Sequence, residues 1–412
     1  MTSANHKRNG LPGGSGLALY FLLCLCLLGF SRAALAVEDS VFATLEEGER
    51  QAWLVTFGPG SQYWERFGHN AIWLREPSAG LDHTFNFGFF DFEQEDFFLR
   101  FMRGRMLYFS VAQPAQREFR YYRQADRSIR MQRLNLTETQ YNQLRDYLLH
   151  HVQPEHRDYL YDYFLNNCST RIRDALDVAL DGALADFSQP VPASLNFRDQ
   201  VRRLTESRFW YYLGLEIALG YPVDRKISRW DEMFIPSVVA DELSALSLTR
   251  ASTGESVLIE DGMLFVSSLT APPATPSNQW QRYLLLALLV TAAAWLSNRF
   301  MPAVWLEGLC GAWLLISGSA GLLLAAIWLL TDHETSRLNV NLLLLNPLVL
   351  LAMWPPLRRP GAWLMITGVI ASVLLLLWPT HQYNLDVLAA LAPVNLGVVW
   401  RLLKFQPRSN ER

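Results

Sequence analysis

YLYDYFLNNCSTRIRDAL (159–176) changes character halfway along. An aromatic run gives way to the polar cluster Asn166, Asn167, Ser169 and Thr170 around Cys168, and a helical pattern follows. Ile172, Leu176, Ala179 and Leu180 recur on one face, so the spacing predicts a helix over 168–180 with Cys168 at its start. Backbone N–H groups at a helix start stabilise a thiolate and offer donors to an oxyanion. Arg171 and Arg173 follow within the first turns, where a helix-surface ion pair or a phosphate would suit them.

Of the four cysteines, Cys24 and Cys26 lie in an apolar run near the amino terminus and Cys310 lies in an apolar run near the carboxy end. Cys168 therefore has no partner for a disulfide within its own domain. A thiol nucleophile needs a base. His69 in RFGHNAIWL (66–74) follows a glycine and opens an alternating strand, which makes it the first candidate, with His83 as competitor. His150, His151 and His156 sit on or just after a polar helix. A third polar group should hold the imidazole; Asn86, Asp91 and His83 are open, with Asn86 placed first.

Further out, AWLVTFGPG (52–60), HNAIWLRE (69–76) and HTFNFGFFDF (83–92) read as strands. DFFLRFMRGRM (96–106) reads as a short amphipathic helix, and TETQYNQLRDYLLHHV (137–152) as a helix capped by Thr137. RFWYYLGLEIALGY (208–221) reads as a buried helix. Strands early and helices late make the class α+β.

The 412 residues are half hydrophobic and 18% charged, which excludes disorder and a small disulfide scaffold. A net charge of −3 excludes a nucleic-acid partner, which would need a basic face. No H-E-x-x-H, paired C-x-x-C or cofactor motif occurs, so neither a metal nor a cofactor is expected. The mean hydropathy of +0.07 averages two unlike halves. Residues 1–36 read as a secretory signal, with a short apolar run before Ala34-Leu35-Ala36. Residues 37–270 form an exported domain, and 271–280 (from APPATPSN) a linker. Five apolar runs, at 281–297, 303–330, 338–354, 361–378 and 385–403, each approach the ~20 residues that span hydrocarbon. With 37–270 outside, Arg299, Arg358, Arg359 and the tail 404–412 fall on the cytoplasmic side, as the positive-inside rule requires. Asn341 and Asn346 lie inside the third run, where polar groups often mark a binding site or join helices; His333 lies just outside it.

A strand-borne histidine followed about a hundred residues later by a helix-start cysteine resembles the circularly permuted papain-like thiol enzymes, a group that includes the lecithin–retinol acyltransferase family. VTFGPGSQYWERFGHNAIWL (55–74), FNFGFFDFEQEDFFLRFMRGRMLY (85–108), YLYDYFLNNCSTRIRDAL (159–176) and DHETSRLNVNLLLLNPL (332–348) are similar to a closer group, the Lnb-type bacterial lipoprotein N-acyltransferase family. The resemblance implies Cys168 as nucleophile and His69 as base, and leaves the third residue open. It implies a periplasmic domain on a multi-pass inner-membrane protein, with phospholipids as acyl donors and apolipoproteins as acceptors. On that route the Cys168 N–H, with Tyr163 or Asn167, would hold the oxyanion, and a thioester would form on Cys168. A cysteine-dependent amidase or endopeptidase acting on the cell wall is the competing expectation. Five membrane spans suit lipid chemistry better.

Overall fold

A computed structural model describes residues 50–404 apart from Thr253, Asn298, Met301, Pro379 and Thr380. The expected signal 1–36, Cys24, Cys26 and the tail beyond Lys404 lie outside the described residues.

Among the described residues, seven strands form one sheet in the order β6-β4-β3-β2-β1-β5-β7. They are β1 (Gln51–Phe57), β2 (His69–Glu76), β3 (Leu81–Phe89), β4 (Leu107–Pro114), β5 (Ile129–Leu134), β6 (Asp158–Leu160) and β7 (Leu258–Phe265). The pairs β1–β5, β3–β4, β4–β6 and β5–β7 are antiparallel. β1 is buried along its whole length. Trp53 and Trp73 stack with centroids 5.9 Å apart, and Phe119 meets Trp73 edge-on at 5.5 Å. Phe119 brings the Ala115–Gln124 helix onto this face. Each such ring removed from water stabilises the fold by about 2–3 kcal/mol. β7 belongs to this sheet although it follows β6 only after the helices between Cys168 and Ala251, so strands do not all come early. A small separate unit, Arg50 with residues 75–81, carries a 3-10 turn at Pro77–Ala79 and an Arg50–Glu76 ion pair at 2.8 Å.

The helix read from its Thr137 cap and the helix read from the spacing over 168–180 both form. Thr137 caps Glu138–His151 with a reciprocal Gln140 bond, and Asn167 caps Cys168–Ala179 in the same way. The 208–221 segment forms the helix Phe209–Ala218, but only Tyr212 and Glu216 are buried in it, while Phe209 and Trp210 are exposed.

The carboxy-terminal part is helical but is not five long helices. Among the described residues, three helices are long and apolar enough to cross a membrane: Trp280–Ser297, Ala303–Leu330 and Leu385–Lys404. The fourth run is the helix Arg358–Leu375, which opens with Arg358, Arg359 and Pro360. The third run, expected as a span, breaks into 3-10 pieces at Val340–Leu343, Pro347–Met353 and Pro355–Leu357. The cause is local. Asn339 accepts from the Asn341 N–H and Asn346 from the Leu348 N–H, so each asparagine caps a turn, and Pro347 and Pro355 supply no N–H to continue a helix.

Candidate active site

The site lies where β2, β3 and the start of the Cys168–Ala179 helix meet. Asn167 fixes that start. Its Oδ1 accepts from the Ser169 and Thr170 N–H groups, both at 2.9 Å, and its Nδ2 donates to the Tyr163 and Phe234 carbonyls, both at 3.0 Å. Every polar atom of the Asn167 amide is thus engaged within the fold, so the residue shapes the site instead of facing a ligand.

Asn70 docks the helix start onto β2. Its Nδ2 donates to Ser169 Oγ (3.3 Å) and to the Pro236 carbonyl (3.2 Å). Its backbone N–H, with those of Ser169 and Cys168 itself, points at the Cys168 sulfur. The thiol is therefore held against the backbone of the residue that follows His69 in β2. Gly88 allows this approach: a Cβ there would lie 3.2 Å from the Cys168 Cβ, and its φ of +92° favours glycine. Cys168 is half-buried and free of any disulfide.

The imidazole is held from behind. His69 Nε2 lies 2.9 Å from Asn86 Oδ1. Asn86 Nδ2 donates to Glu118 (3.0 Å), which also accepts from the Thr84 hydroxyl. With its amide committed to Glu118, Asn86 presents an acceptor to the ring, so Nε2 carries the proton and Nδ1 is the basic nitrogen. Tyr122 stacks near His69 (6.3 Å) and lies close enough to Cys168 to feel its charge. The Arg127 guanidinium sits over the Tyr122 ring at 4.6 Å and acts on both His69 and Cys168.

Burial dominates the electrostatics. It pushes the Cys168 thiol up to about 11 against the pull of the three N–H groups and Arg127. Burial also lowers His69 to about 4, with the Asn86 bond opposing and Arg127 assisting. Both groups rest neutral at pH 7.

The other candidates disperse. His83 is three residues from Asn86 on β3, hence on the opposite face, and its Nδ1 accepts from the Asp82 N–H at 3.4 Å. Asp91 is exposed beyond β3 and accepts from the Glu93 N–H. Tyr163 is exposed and donates to the Met106 sulfur at 3.3 Å. Arg171 lies over the Tyr159 ring at 4.5 Å. Arg173 pairs with Asp174 at 2.7 Å and stacks on Trp230. Asn341 is buried and donates to the Glu216 and Ile217 carbonyls at 2.9 and 3.1 Å, tying the 3-10 segment to the Phe209–Ala218 helix. Asn346 serves its cap. His333 Nε2 lies 3.0 Å from the Phe101 carbonyl.

Asn70, Gly88, Glu118, Tyr122 and Arg127 were not anticipated. A polar residue inside the apolar strand HNAIWL marks Asn70, and a glycine inside an aromatic strand marks Gly88. No sequence signal separates Glu118 from the other charges of its helix. Among the described residues no cluster of His, Cys, Asp or Glu could hold a metal ion.

A family model described as the Lnb N-terminal periplasmic domain matches residues 45–208, and one described as the Lnb transmembrane domain matches residues 273–404. No curated protein and no solved structure matches the chain.

Proposed function

The chain belongs to the Lnb family and is a membrane protein with a periplasmic domain, and from that premise we propose that it is a lipoprotein N-acyltransferase of the inner membrane. Its catalytic domain stands on the periplasmic side in a permuted papain-like arrangement. Phospholipid is the acyl donor, and the amino-terminal lipidated cysteine of an apolipoprotein is the acceptor.

In the first half-reaction, His69 Nδ1 takes the Cys168 proton as the sulfur attacks the acyl ester carbonyl. The S–C bond forms, and the negative charge moves to the carbonyl oxygen near the amide donors at the helix start. The ester C–O bond then breaks. The lysophospholipid alkoxide leaves with the proton from His69, and a thioester remains. In the second half-reaction, the lipoprotein α-amine attacks the thioester. The N–C bond forms, the C–S bond breaks, and the proton lost by nitrogen returns to sulfur through His69. Asn86 and Glu118 position the imidazole and touch no reacting atom.

The observation that supports the reading is the Cys168 sulfur against the backbone N–H of Asn70, the residue that follows His69, whose Nε2 lies against Asn86. The test is mass spectrometry of amino-terminal lipopeptides from a strain whose only such enzyme is this chain. Triacylated lipopeptides should disappear with Cys168→Ala. Triacylated product from that variant refutes the thioester route. A purified protein that releases muropeptides and leaves lipopeptides diacylated refutes the acyltransferase reading in favour of cell-wall hydrolysis.

A further inference from the structure

The helix Phe97–Arg103 exposes apolar side chains to no protein partner in the described structure. Phe98 is 72% exposed, Met102 60% and nearby Phe92 65%. Phe98 and Met102 are one turn apart and share a face. Arg100 and Arg103 lie in the same helix. This combination of aromatic and basic residues suits the headgroup boundary of a bilayer.

The height of the helix is fixed by the membrane part. The Ala303–Leu330 helix ends at Leu330, and the segment after it grips the short helix directly. The Asp332 N–H donates to the Arg103 carbonyl at 2.9 Å, Arg105 pairs with Asp332, and His333 bonds the Phe101 carbonyl. Gly104 permits the contact, since a Cβ there would lie 2.9 Å from the backbone of Asp332. The Leu330 end is therefore the periplasmic end, and the exposed face of 97–103 sits level with it.

From this face, aromatic rings lead inward. Phe101 is 6.5 Å from Phe97, Phe97 6.0 Å from Phe90, Phe90 5.1 Å from Tyr108, and Tyr108 4.1 Å from Tyr161. Tyr161 stands close enough to Cys168 to feel the charge of its sulfur. An apolar wall thus runs from the membrane level to the thiol.

We infer that helix 97–103 is immersed in the outer leaflet of the membrane and that the ring track behind it guides the acyl chain of a membrane lipid to Cys168. The immersion stands on the geometry alone; the lipid's fate at Cys168 rests on the acyltransferase reading.

The test uses the full chain, its own four cysteines replaced by serine, in phosphatidylethanolamine–phosphatidylglycerol vesicles. Nitroxides are attached at Phe98→Cys, Met102→Cys and, as an aqueous control, Leu248→Cys; Leu248 is 76% exposed on another helix. The labels at 98 and 102 should favour collision with oxygen over a water-soluble nickel chelate, and the label at 248 the reverse. Chelate access at 98 and 102 equal to that at 248 overturns the inference. In the cysteine-bearing chain, Phe98→Asp with Met102→Asp should lower turnover of bilayer phospholipid at least tenfold while a small soluble alkylator still reaches Cys168 at the original rate. Full turnover by that variant overturns the track. The label positions do not depend on acyl transfer, so failure here is distinguishable from failure of the Cys168→Ala test.

Discussion

Alkylation of Cys168 as a function of pH tests the resting state of the site. An ordinary cysteine with a pKa near 8.5 is about one-tenth thiolate at pH 7.5, whereas a thiol held at about 11 is only about 0.03% ionised. That alone slows a thiolate-seeking reagent roughly 300-fold. A more basic thiolate is also more nucleophilic: a Brønsted slope of about 0.45 over some 2.5 pKa units returns a factor of about 13. Iodoacetamide should therefore modify Cys168 about twentyfold more slowly than a cysteine peptide at pH 7.5. The rate should rise about tenfold per unit from pH 6 to 9.5 without a plateau. Peptide mass spectrometry on timed samples gives the rate at Cys168 itself. His69 at about 4 is already neutral throughout this range, so His69→Ala should leave the slope unchanged. The reverse outcome is a rate plateau between pH 5 and 8 that is lost in His69→Ala. It would mean that a thiolate–imidazolium pair exists before substrate arrives, and that burial does not govern the site.

Three further outcomes follow from the same geometry. Glu118→Ala leaves one Asn86 N–H without its acceptor in a buried site, while the Thr84 hydroxyl keeps the Gln113 carbonyl at 3.2 Å; this should cost about 1–3 kcal/mol, read by thermal unfolding, and Glu118→Gln should recover part of it. Gly88→Ala puts a methyl 3.2 Å from the Cys168 Cβ at a positive φ, so it should destabilise by about 1–2 kcal/mol and suppress Cys168 alkylation along with turnover. Asn341→Ala removes two bonds to the Glu216 and Ile217 carbonyls and should lower the unfolding midpoint while leaving the alkylation rate at Cys168 within twofold, since Asn341 touches neither His69 nor Cys168.

The parts of the site visible in the sequence are those whose cause is local. The Asn-Cys-Ser-Thr run specifies a capped helix start without reference to anything distant, and β2 announces His69 by alternation. Asn86 was reachable as a polar residue within an aromatic strand. Glu118 was not, because AQREFRYYRQ (115–124) is rich in charge and any of its charges reads as solvated until the helix lies against β3. Arg127 follows that helix in chain order and is brought back by contacts distant in sequence: its Nε donates to the Gly58 carbonyl beyond β1, and it pairs with Glu65. The third apolar run misled for a similar reason. Hydropathy registers 338–354 as hydrocarbon-length, but its asparagines act on backbone groups: two cap turns, and Asn341 reaches the carbonyls of residues 216 and 217, more than 120 positions earlier. Those partners exist only after folding.

A weakly acidic thiol and a weakly basic imidazole suit catalysis only where charge is received as it develops. The sulfur is aimed at by three backbone N–H groups, and His69 by an acceptor on its far nitrogen that stabilises a ring taking up a proton. On the proposed route these groups oppose little in the resting state and act as charge develops, which is the condition for preorganised stabilisation. The arrangement also fits a lone periplasmic thiol. The thiolate is the form that oxidants attack, so a sulfur kept protonated is shielded while it waits. A lipid chain arriving along the rings would exclude water from around the sulfur. That deepens the burial which holds the free pair neutral and strengthens the donors' hold on the oxyanion once the acyl carbonyl is in place.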